Sequence, residues 1–328
     1  MNHKIKKINQ ICNLIFAITA FSTVISFNNL VSAQITPDNT LPNNSEVGIE
    51  GNITKINGGT KRGSNLFHSF EKFGIPTGTE AHFNNAVDIQ NIFTRVTGKS
   101  YSDIDGLIKA NGAANLFLIN PNGILFNRNA RLDIGGSFVG STAESLIFPN
   151  NLEFSAVNPD SKPLLSVNVP LGLQYGTNPQ TIVNQSIAKN SQGDLIGLEI
   201  KPDKTLGLIG GDVVFNGGAA SAKGGRIELG GVNNQGLVEL NGNANNLDNL
   251  SFDFPLDVER SDVSINGSII FNGEIVVTVV IKLLSFKLIV SLELILISLT
   301  VLMKLFLASS KFLLLTAISP LNMIEPFI

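Results

Sequence analysis

The chain between Gln34 and Gly273 alternates short apolar runs with turns rich in glycine and asparagine. Apolar runs bounded by turn residues are typical of β-strands, and helix signals are few in this region. Ala86 to Val96 alternates apolar and polar residues and predicts one strand, while Asn57-Gly58 predicts a β-hairpin turn. The pattern therefore predicts an all-β protein.

The second half of this region is repetitive. Three near-copies of one short pattern begin at Gly211, Gly225 and Gly236, each a glycine followed by a strand-like segment. Repetition of this kind favours a parallel β-helix, in which each strand stacks on the equivalent strand of the previous turn. A β-sandwich or a β-barrel is the alternative, because the strands of those folds recur at similar intervals.

The N-terminus has the form of a secretory signal peptide. Three lysines precede a mostly apolar stretch, and small side chains lie just before Gln34. This pattern predicts residues 1–33 as the signal, with cleavage between Ala33 and Gln34; an uncleaved anchor is the alternative. Cys12, the only cysteine of the chain, lies in this segment. The mature chain would therefore have no disulfide and no thiolate nucleophile.

The sequence changes character after Gly273, the last glycine of the chain. Residues 274–319 contain no Gly, Asn, Asp or Pro, and Leu288 to Met303 is apolar apart from serine, threonine and Glu293. Three interpretations compete: a transmembrane helix that anchors a surface protein, a series of buried strands, and the product of a shifted reading frame. The abrupt change favours the third, so we expect 274–328 to be an atypical tail on a shortened chain.

Charge and candidate chemistry narrow the functional classes. The net charge is −3 and the pI about 5.7, which lacks the excess of basic residues that nucleic-acid binding requires. Outside the signal, the histidines are His68 and His82, and we interpret both as solvated or turn-stabilising polar residues rather than metal ligands. We expect no catalytic residues, no metal and no cofactor.

A polysaccharide-degrading enzyme is an alternative function, because many parallel β-helices have that activity. Such a site needs clustered carboxylates and a basic residue near the bond that is cleaved. The candidates are Asp103, Asp105, Arg128, Arg131 and Asp133. Strand alternation places Arg131 and Asp133 on one face and Leu132 and Ile134 on the other, which favours a surface ion pair over a catalytic site.

The most informative segment runs from Ala114 to Phe138. In it an apolar run enters a turn and a second run leaves it. The residues of this turn predict a type I geometry, since proline suits the second position, asparagine the third and glycine the fourth. The turn and the residue after it are Asn120, Pro121, Asn122, Gly123 and Ile124.

This segment resembles the N-terminal secretion domain, or haemagglutination activity domain, of filamentous-haemagglutinin-type exoproteins, the cargo of two-partner secretion. Arg62 to Phe70 and Ile89 to Gly98 are similar to two further segments of that domain. The family's earlier N-P-N-L motif has no counterpart here, where Phe83 to Ala86 lies in the corresponding region.

The resemblance implies a right-handed, single-stranded parallel β-helix with an N-terminal cap and an extra hairpin. The core domain would span 34–185, and further β-helix repeats would span 186–273. The resemblance also implies a secretion signature at Asn120 to Ile124, with Asn91, Arg95 and Gly98 as secondary residues. The alternative is that these residues hold the β-helix together.

The resemblance also implies a partner and a location. The chain would cross the inner membrane and then be recognised in the periplasm by an outer-membrane pore-forming transporter with periplasmic recognition domains. It would finally be secreted or displayed at the cell surface. An adhesin of this class would bind a cell-surface glycan or protein receptor and catalyse no reaction.

Overall fold

The structure is a computed structural model that describes residues 35–159, 166–242, 247, 250–278, 280–281 and 285–290. The predicted signal peptide and its cleavage site at Ala33 and Gln34 lie outside the described residues, as does the chain from residue 291 onward. No helix among the described residues is both long and apolar enough to span a membrane.

The described chain is built from β-strands. The N-terminal strands are β1 (Thr36–Pro37), β2 (Ser45–Glu50), β3 (Ile53–Gly58), β4 (Thr60–Arg62), β5 (Asn65–Lys72) and β6 (Glu80–Phe83). The next group comprises β7 (Asn91–Val96), β8 (Ser102–Ile104), β9 (Leu107–Ala110), β10 (Asn115–Ile119), β11 (Ile124–Phe126), β12 (Arg131–Asp133) and β13 (Phe138–Ser141). The third group comprises β14 (Ser145–Phe148), β15 (Leu152–Ser155), β16 (Gly172–Tyr175), β17 (Ile182–Asn184), β18 (Leu198–Glu199) and β19 (Thr205–Gly210). The last group comprises β20 (Val213–Gly231), β21 (Gly236–Asn241), β22 (Ser251–Asp253), β23 (Asp262–Thr278), β24 (Val280–Ile281) and β25 (Ser285–Val290).

The long strand β20 demonstrates that the chain winds as a coil. Its beginning pairs in parallel with β17, its middle with β18 and its end with β19. One strand therefore turns successively through three faces of a parallel β-helix. We call the face that holds β5, β7, β10, β13 and β19 the first face, the face that holds β3, β6, β9 and β12 the second, and the face that holds β8, β11 and β17 the third. The all-β parallel β-helix predicted from the repeats is confirmed.

Antiparallel strands close the N-terminal end. β2 and β3 form a hairpin, and β1 and β4 both pair antiparallel with β5. This arrangement is the N-terminal cap that the resemblance implied. Successive coils then stack in register, with Asn65 opposite Asn91, 26 residues apart, and Asn91 opposite Asn115, 24 residues apart.

A separate antiparallel sheet covers the first face. Its strand order is β15-β14-β16-β21-β22, so it combines three strands from the insertion between β13 and β17 with two strands from the insertion between β20 and β23. The segment that begins at Gly236 forms β21 of this sheet. The prediction that it is a β-helix rung like its near-copies was therefore wrong, because its apolar side chains, Val238 and Leu240, face the first face from outside.

The first face separates two hydrophobic cores. Leu66, Ile92 and Leu116 point into the β-helix, whereas Phe67, Phe93 and Phe117 point toward the antiparallel sheet. The ring centroid of Phe93 lies 5.3 Å from that of Phe67, 5.1 Å from that of Phe117 and 5.4 Å from that of Phe148 on β14. Because both sides are covered, all six residues of β7 are buried.

Two local predictions were wrong. The hairpin turns fall at Gly51-Asn52 and Gly63-Ser64 rather than at Asn57-Gly58, which ends β3. The strand predicted over Ala86–Val96 begins only at Asn91, and Val87 is 90% exposed. Both errors arise because glycine and alternation are local signals, while the corner positions are set by the stacking of coils.

The domain boundaries predicted from composition stay predictions. The strands β23, β24 and β25 continue parallel pairing past Gly273, so the change in composition there does not coincide with the last described strand.

The aromatic stack on the first face yields a test. We expect Phe93→Ala to lower the free energy of unfolding by about 3–5 kcal/mol, because the ring is fully buried among three other phenylalanines. Urea unfolding of the full chain measures this loss. Val87→Ala is the control and should change stability by less than about 0.5 kcal/mol. Equal effects of the two substitutions would contradict the proposed packing.

Candidate functional site

The predicted turn connects the first and third faces at one corner of the β-helix. It lies between β10 and β11, and the backbone amide of Gly123 donates to the carbonyl of Asn120 at 3.1 Å. This bond closes the four-residue turn that the sequence predicted. Gly123 has a φ of +108°, a backbone conformation that favours glycine.

The side chain of Asn120 is fully buried, and both its Nδ2 and its Oδ1 are hydrogen-bonded. Its Nδ2 donates to the carbonyl of Ser100 at 3.1 Å and to Oγ of Ser102 at 3.0 Å. Its Oδ1 accepts from the backbone amide of Asn122 at 3.0 Å and from Nδ2 of Asn122 at 3.1 Å. Asn120 therefore organises the turn internally and also fastens it to the same corner of the preceding coil.

Asn122 makes a second bond to the preceding corner. Its Nδ2 donates to the carbonyl of Gly98 at 2.7 Å. A Cβ atom on Gly98 would lie 2.0 Å from the carbonyl oxygen of Glu71, so only glycine fits at that position. The structure thus brings Gly98 together with Asn120 and Asn122. Pro121 is half-buried beside them, and Ile124 packs inside the β-helix.

Asn91 belongs to a ladder at a different corner. Nδ2 of Asn115 donates to Oδ1 of Asn91 at 2.9 Å, and Nδ2 of Asn91 donates to Oδ1 of Asn65 at 3.0 Å. Nδ2 of Asn65 continues to the carbonyls of Ser166 and Asn168, at 3.2 and 2.8 Å. The ladder therefore ties three coils to the insertion that forms the antiparallel sheet.

Asn65 and Asn115 were not among the predicted site residues, although the sequence carries a signal for them. Each asparagine of the ladder precedes an aliphatic residue and a phenylalanine, in Asn65-Leu66-Phe67, Asn91-Ile92-Phe93 and Asn115-Leu116-Phe117. This threefold recurrence would have identified the register of the first face.

Arg95 is buried between the cap and the antiparallel sheet. Its Nε donates to Oγ of Ser69 at 2.8 Å, Nη1 to the carbonyl of Ser155 at 2.6 Å and Nη2 to Oγ1 of Thr40 at 2.8 Å. Its guanidinium also lies 4.5 Å from the ring centroid of Phe154. The side chain links three parts of the chain that are distant in sequence.

Asp38 supplies negative charge to the same network. Its carboxylate accepts from Oγ of Ser69 at 2.7 Å, Oγ1 of Thr97 at 2.5 Å and Oγ1 of Thr40 at 2.6 Å. Because Ser69 and Thr40 also accept from Arg95, they join the carboxylate to the guanidinium. The segment just after the predicted cleavage site is thereby fastened to β5 and β7; no motif in the sequence indicated this role for Asp38.

The interpretation of His68 as solvated or turn-stabilising was wrong. His68 is 1% exposed and points into the β-helix, where Nδ1 lies 2.9 Å from Oγ of Ser45. Its Nε2 and the hydroxyl of Thr94, its neighbour on β7, are buried side-chain atoms without a hydrogen-bond partner among the described residues. Burial lowers the pKa of His68 from 6.5 to about 3.

His82 differs from His68. Its Nδ1 lies 3.6 Å from Oε1 of Glu80, and its Nε2 lies 2.7 Å from Oδ1 of Asn111. No group of three or more His, Cys, Asp or Glu side chains among the described residues is arranged to hold a metal ion.

The candidates for polysaccharide degradation lie on different faces. Asp103 accepts from Asn127 on the third face, and Asp105 accepts from Asn129 and Thr77 at the neighbouring corner. Arg128 is exposed near that corner. On the second face Arg131 and Asp133 point outward while Leu132 and Ile134 contact the core, as predicted. The carboxylate of Asp133 lies 3.7 Å from Nζ of Lys109 and from Nζ of Lys201, so its ion pairs among the described residues are with these lysines and not with Arg131.

The buried histidine predicts a pH dependence of stability. Protonated His68 is disfavoured in the folded state, so stability is full above pH 6.5 and declines as the pH falls from 6.5 toward 3. The slope contributed by His68 should approach about 1.4 kcal/mol per pH unit. Urea unfolding from pH 7.5 to 5 measures it against His68→Leu, which matches Leu118 in the same interior row and should lack this slope.

His82→Gln is the matched control, because it removes a histidine that is only partly buried. It should retain the slope of the unsubstituted chain. A His68→Leu chain with an unchanged pH dependence would overturn the assignment.

Comparisons with known proteins identify this architecture. Residues 33–280 match the family model described as TPS secretion domain. Among solved structures the chain is similar to the HMW1 secretion domain from Haemophilus influenzae, with a TM-score of 0.51 and 22% identity. The match covers 74% of this chain and 55% of that chain, so the present chain spans about half the length of that domain. No curated protein matches. The chain belongs to the TPS secretion domain family, the N-terminal two-partner-secretion domains of filamentous-haemagglutinin-type exoproteins.

Proposed function

We propose that this chain is an exoprotein exported by two-partner secretion through an outer-membrane transporter. The observation that carries the proposal is the family match over residues 33–280, together with the capped parallel β-helix that these residues form. The predicted signal at residues 1–33 would supply passage across the inner membrane. The partner is a pore-forming transporter whose periplasmic domains recognise the chain.

The physical properties of the chain support transport before folding. A β-helix gains most of its stability when each coil stacks on the previous one, so it folds progressively from a capped end. No cysteine follows Cys12, and the exported chain therefore has no disulfide that would obstruct a pore. Folding outside the cell would then favour outward movement of the chain that follows.

Asn120 to Ile124 are the proposed secretion signature. In the folded domain the amides of Asn120 and Asn122 are engaged by Ser100, Ser102 and Gly98. We infer that the transporter binds this segment before the corner folds, because the side-chain amides of both asparagines are then available to a partner. The proposed secondary residues are Asn91, Arg95 and Gly98. We infer that they too are recognised before folding and make structural contacts afterwards.

The role after export is adhesion. We base this on the resemblance to haemagglutinin-type exoproteins, and the ligand class would be a cell-surface glycan or protein. The enzymatic alternative has less support, since its candidate carboxylates are engaged by asparagines or lysines on separate faces. The alternative of an anchor in Leu288–Met303 falls mostly outside the described residues.

Export can be measured in a bacterial host that produces the full chain with and without a transporter of this class. We expect extracellular protein only when the transporter is present. Substituting both asparagines, Asn120→Ala and Asn122→Ala, should reduce export by at least about tenfold. The double variant should also lose stability, about 1–3 kcal/mol for each buried group left without a partner.

Asn184→Ala separates recognition from stability. Asn184 is buried, donates to the carbonyl of Ala219 at 3.0 Å and accepts from the amide of Ser186 at 3.0 Å, but it lies outside the signature. It should be destabilised comparably and still be exported. Normal export of the folded signature variant would refute the signature, and equal loss in both variants would reduce its role to stability. Secretion without the transporter would refute the proposed function itself.

A further inference from the structure

The cap ends in a strand with an open edge. β2 is the last strand of the second-face sheet, whose order is β12-β9-β6-β3-β2, and no described strand pairs with its other edge. Glu46, Gly48, Ile49 and Glu50 are all exposed, and Ile49 is 74% exposed. An exposed strand edge presents backbone donors and acceptors to any extended segment that approaches it.

An apolar groove adjoins this edge. Its volume is about 350 Å³, and it lies between the cap strands and the loop that precedes β6. Its apolar lining comes from Ile35, Pro37, Val47, Ile49, Ile75 and Pro76. Among the described residues that line it, Glu80 is the only charged one. The groove would therefore accept apolar side chains and disfavour acidic ones.

The two sides of β2 have different chemistry. Because side chains alternate along a strand, Val47 and Ile49 face the groove side, while Glu46, Gly48 and Glu50 share the opposite side. A Cβ atom at Gly48 would meet nothing within 4 Å, so the space between the two glutamates is open. An added strand would meet two carboxylates four positions apart on one side and the groove on the other.

This charge pattern disfavours a second copy of the chain as the occupant. In an antiparallel pair centred on Gly48, Glu46 of each copy would lie opposite Glu50 of the other. A parallel pair would place identical glutamates side by side. Like charges at opposed positions destabilise strand pairing. Among the described residues Lys55 forms an ion pair with Glu50, at 2.7 Å, and not with Glu46.

We propose that the β2 edge and its groove form an acceptor site for an extended protein segment that alternates basic and apolar residues. One basic residue pairs with Glu46 and a second shares Glu50 with Lys55, the apolar residues enter the groove, and the backbone extends the second-face sheet by one strand. This binding activity goes beyond export and does not rest on it.

The test uses the peptide fluorescein-Val-Lys-Val-Ser-Val-Lys-Val-amide, labelled at its N-terminal amine, whose lysines match the spacing of the two glutamates. Fluorescence anisotropy against the purified full chain should give saturable binding. A peptide with both lysines replaced by glutamate should bind at least about tenfold more weakly, equivalent to about 1.4 kcal/mol. Hydrogen exchange should slow at the amides of β2 when the lysine peptide is bound.

A reciprocal charge swap keeps the test decisive. The variant Glu46→Lys with Glu50→Lys should lose the lysine peptide and gain the glutamate peptide, which an unfolded variant cannot do. The matched control is Glu239→Lys with Asp253→Lys, which reverses the charge of two exposed acidic residues opposite each other on β21 and β22. It should leave binding of both peptides unchanged.

Three results would overturn the proposal. The first is equal binding of both peptides by the unsubstituted chain, and the second is binding without protection of β2. The third is concentration-dependent dimerisation that itself protects β2, since the occupant would then be a second copy of the chain.

Discussion

The burial of the first face on both sides is the constraint on which the rest of the structure depends. Strands β5, β7 and β10 pack inward against the β-helix core and outward against the antiparallel sheet, so every residue of β7 is buried. In such strands a polar side chain that lacks a partner inside the protein is costly, because water cannot reach it. The asparagine ladder and the network around Arg95 are the solutions adopted at the two ends of these strands.

The same constraint explains how the residues of the proposed signature are engaged in the folded domain. A corner of a β-helix turns the backbone away from the sheet and leaves amides and carbonyls unpaired, and asparagine side chains satisfy them by bonding to the coil below. Asn120 and Asn122 do this for the corner that contains Gly98. Residues that complete a corner are exposed and unsatisfied until the corner forms. Under the proposed function, a transporter that bound them would act on the unfolded chain, and folding would remove its binding site.

One interior row of the β-helix is polar at the capped end and apolar further along. It begins with His68 and Thr94 and continues with Leu118, Gly140 and Leu208 in later coils. The cap also holds the bond between Ser45 and His68 and the Asp38 network. In this row the first coils therefore carry polar side chains, while the later coils stack aliphatic ones. This gradient suits a chain whose first coils must form correctly before the others can stack on them.

The sequence by itself determined the strand-rich fold class, the turn at Asn120–Gly123 and the outward orientation of Arg131 and Asp133, because glycine, proline and alternation act through local backbone sterics. The β-helix itself was also within reach, through the repeats and the family resemblance. Only the tertiary structure decided that the Gly236 segment leaves the β-helix and that His68 is buried. It also decided that Arg95 joins Thr40, Ser69 and Ser155. These contacts join residues far apart in sequence. The sequence alone does not distinguish the side chains that make them from solvated polar residues.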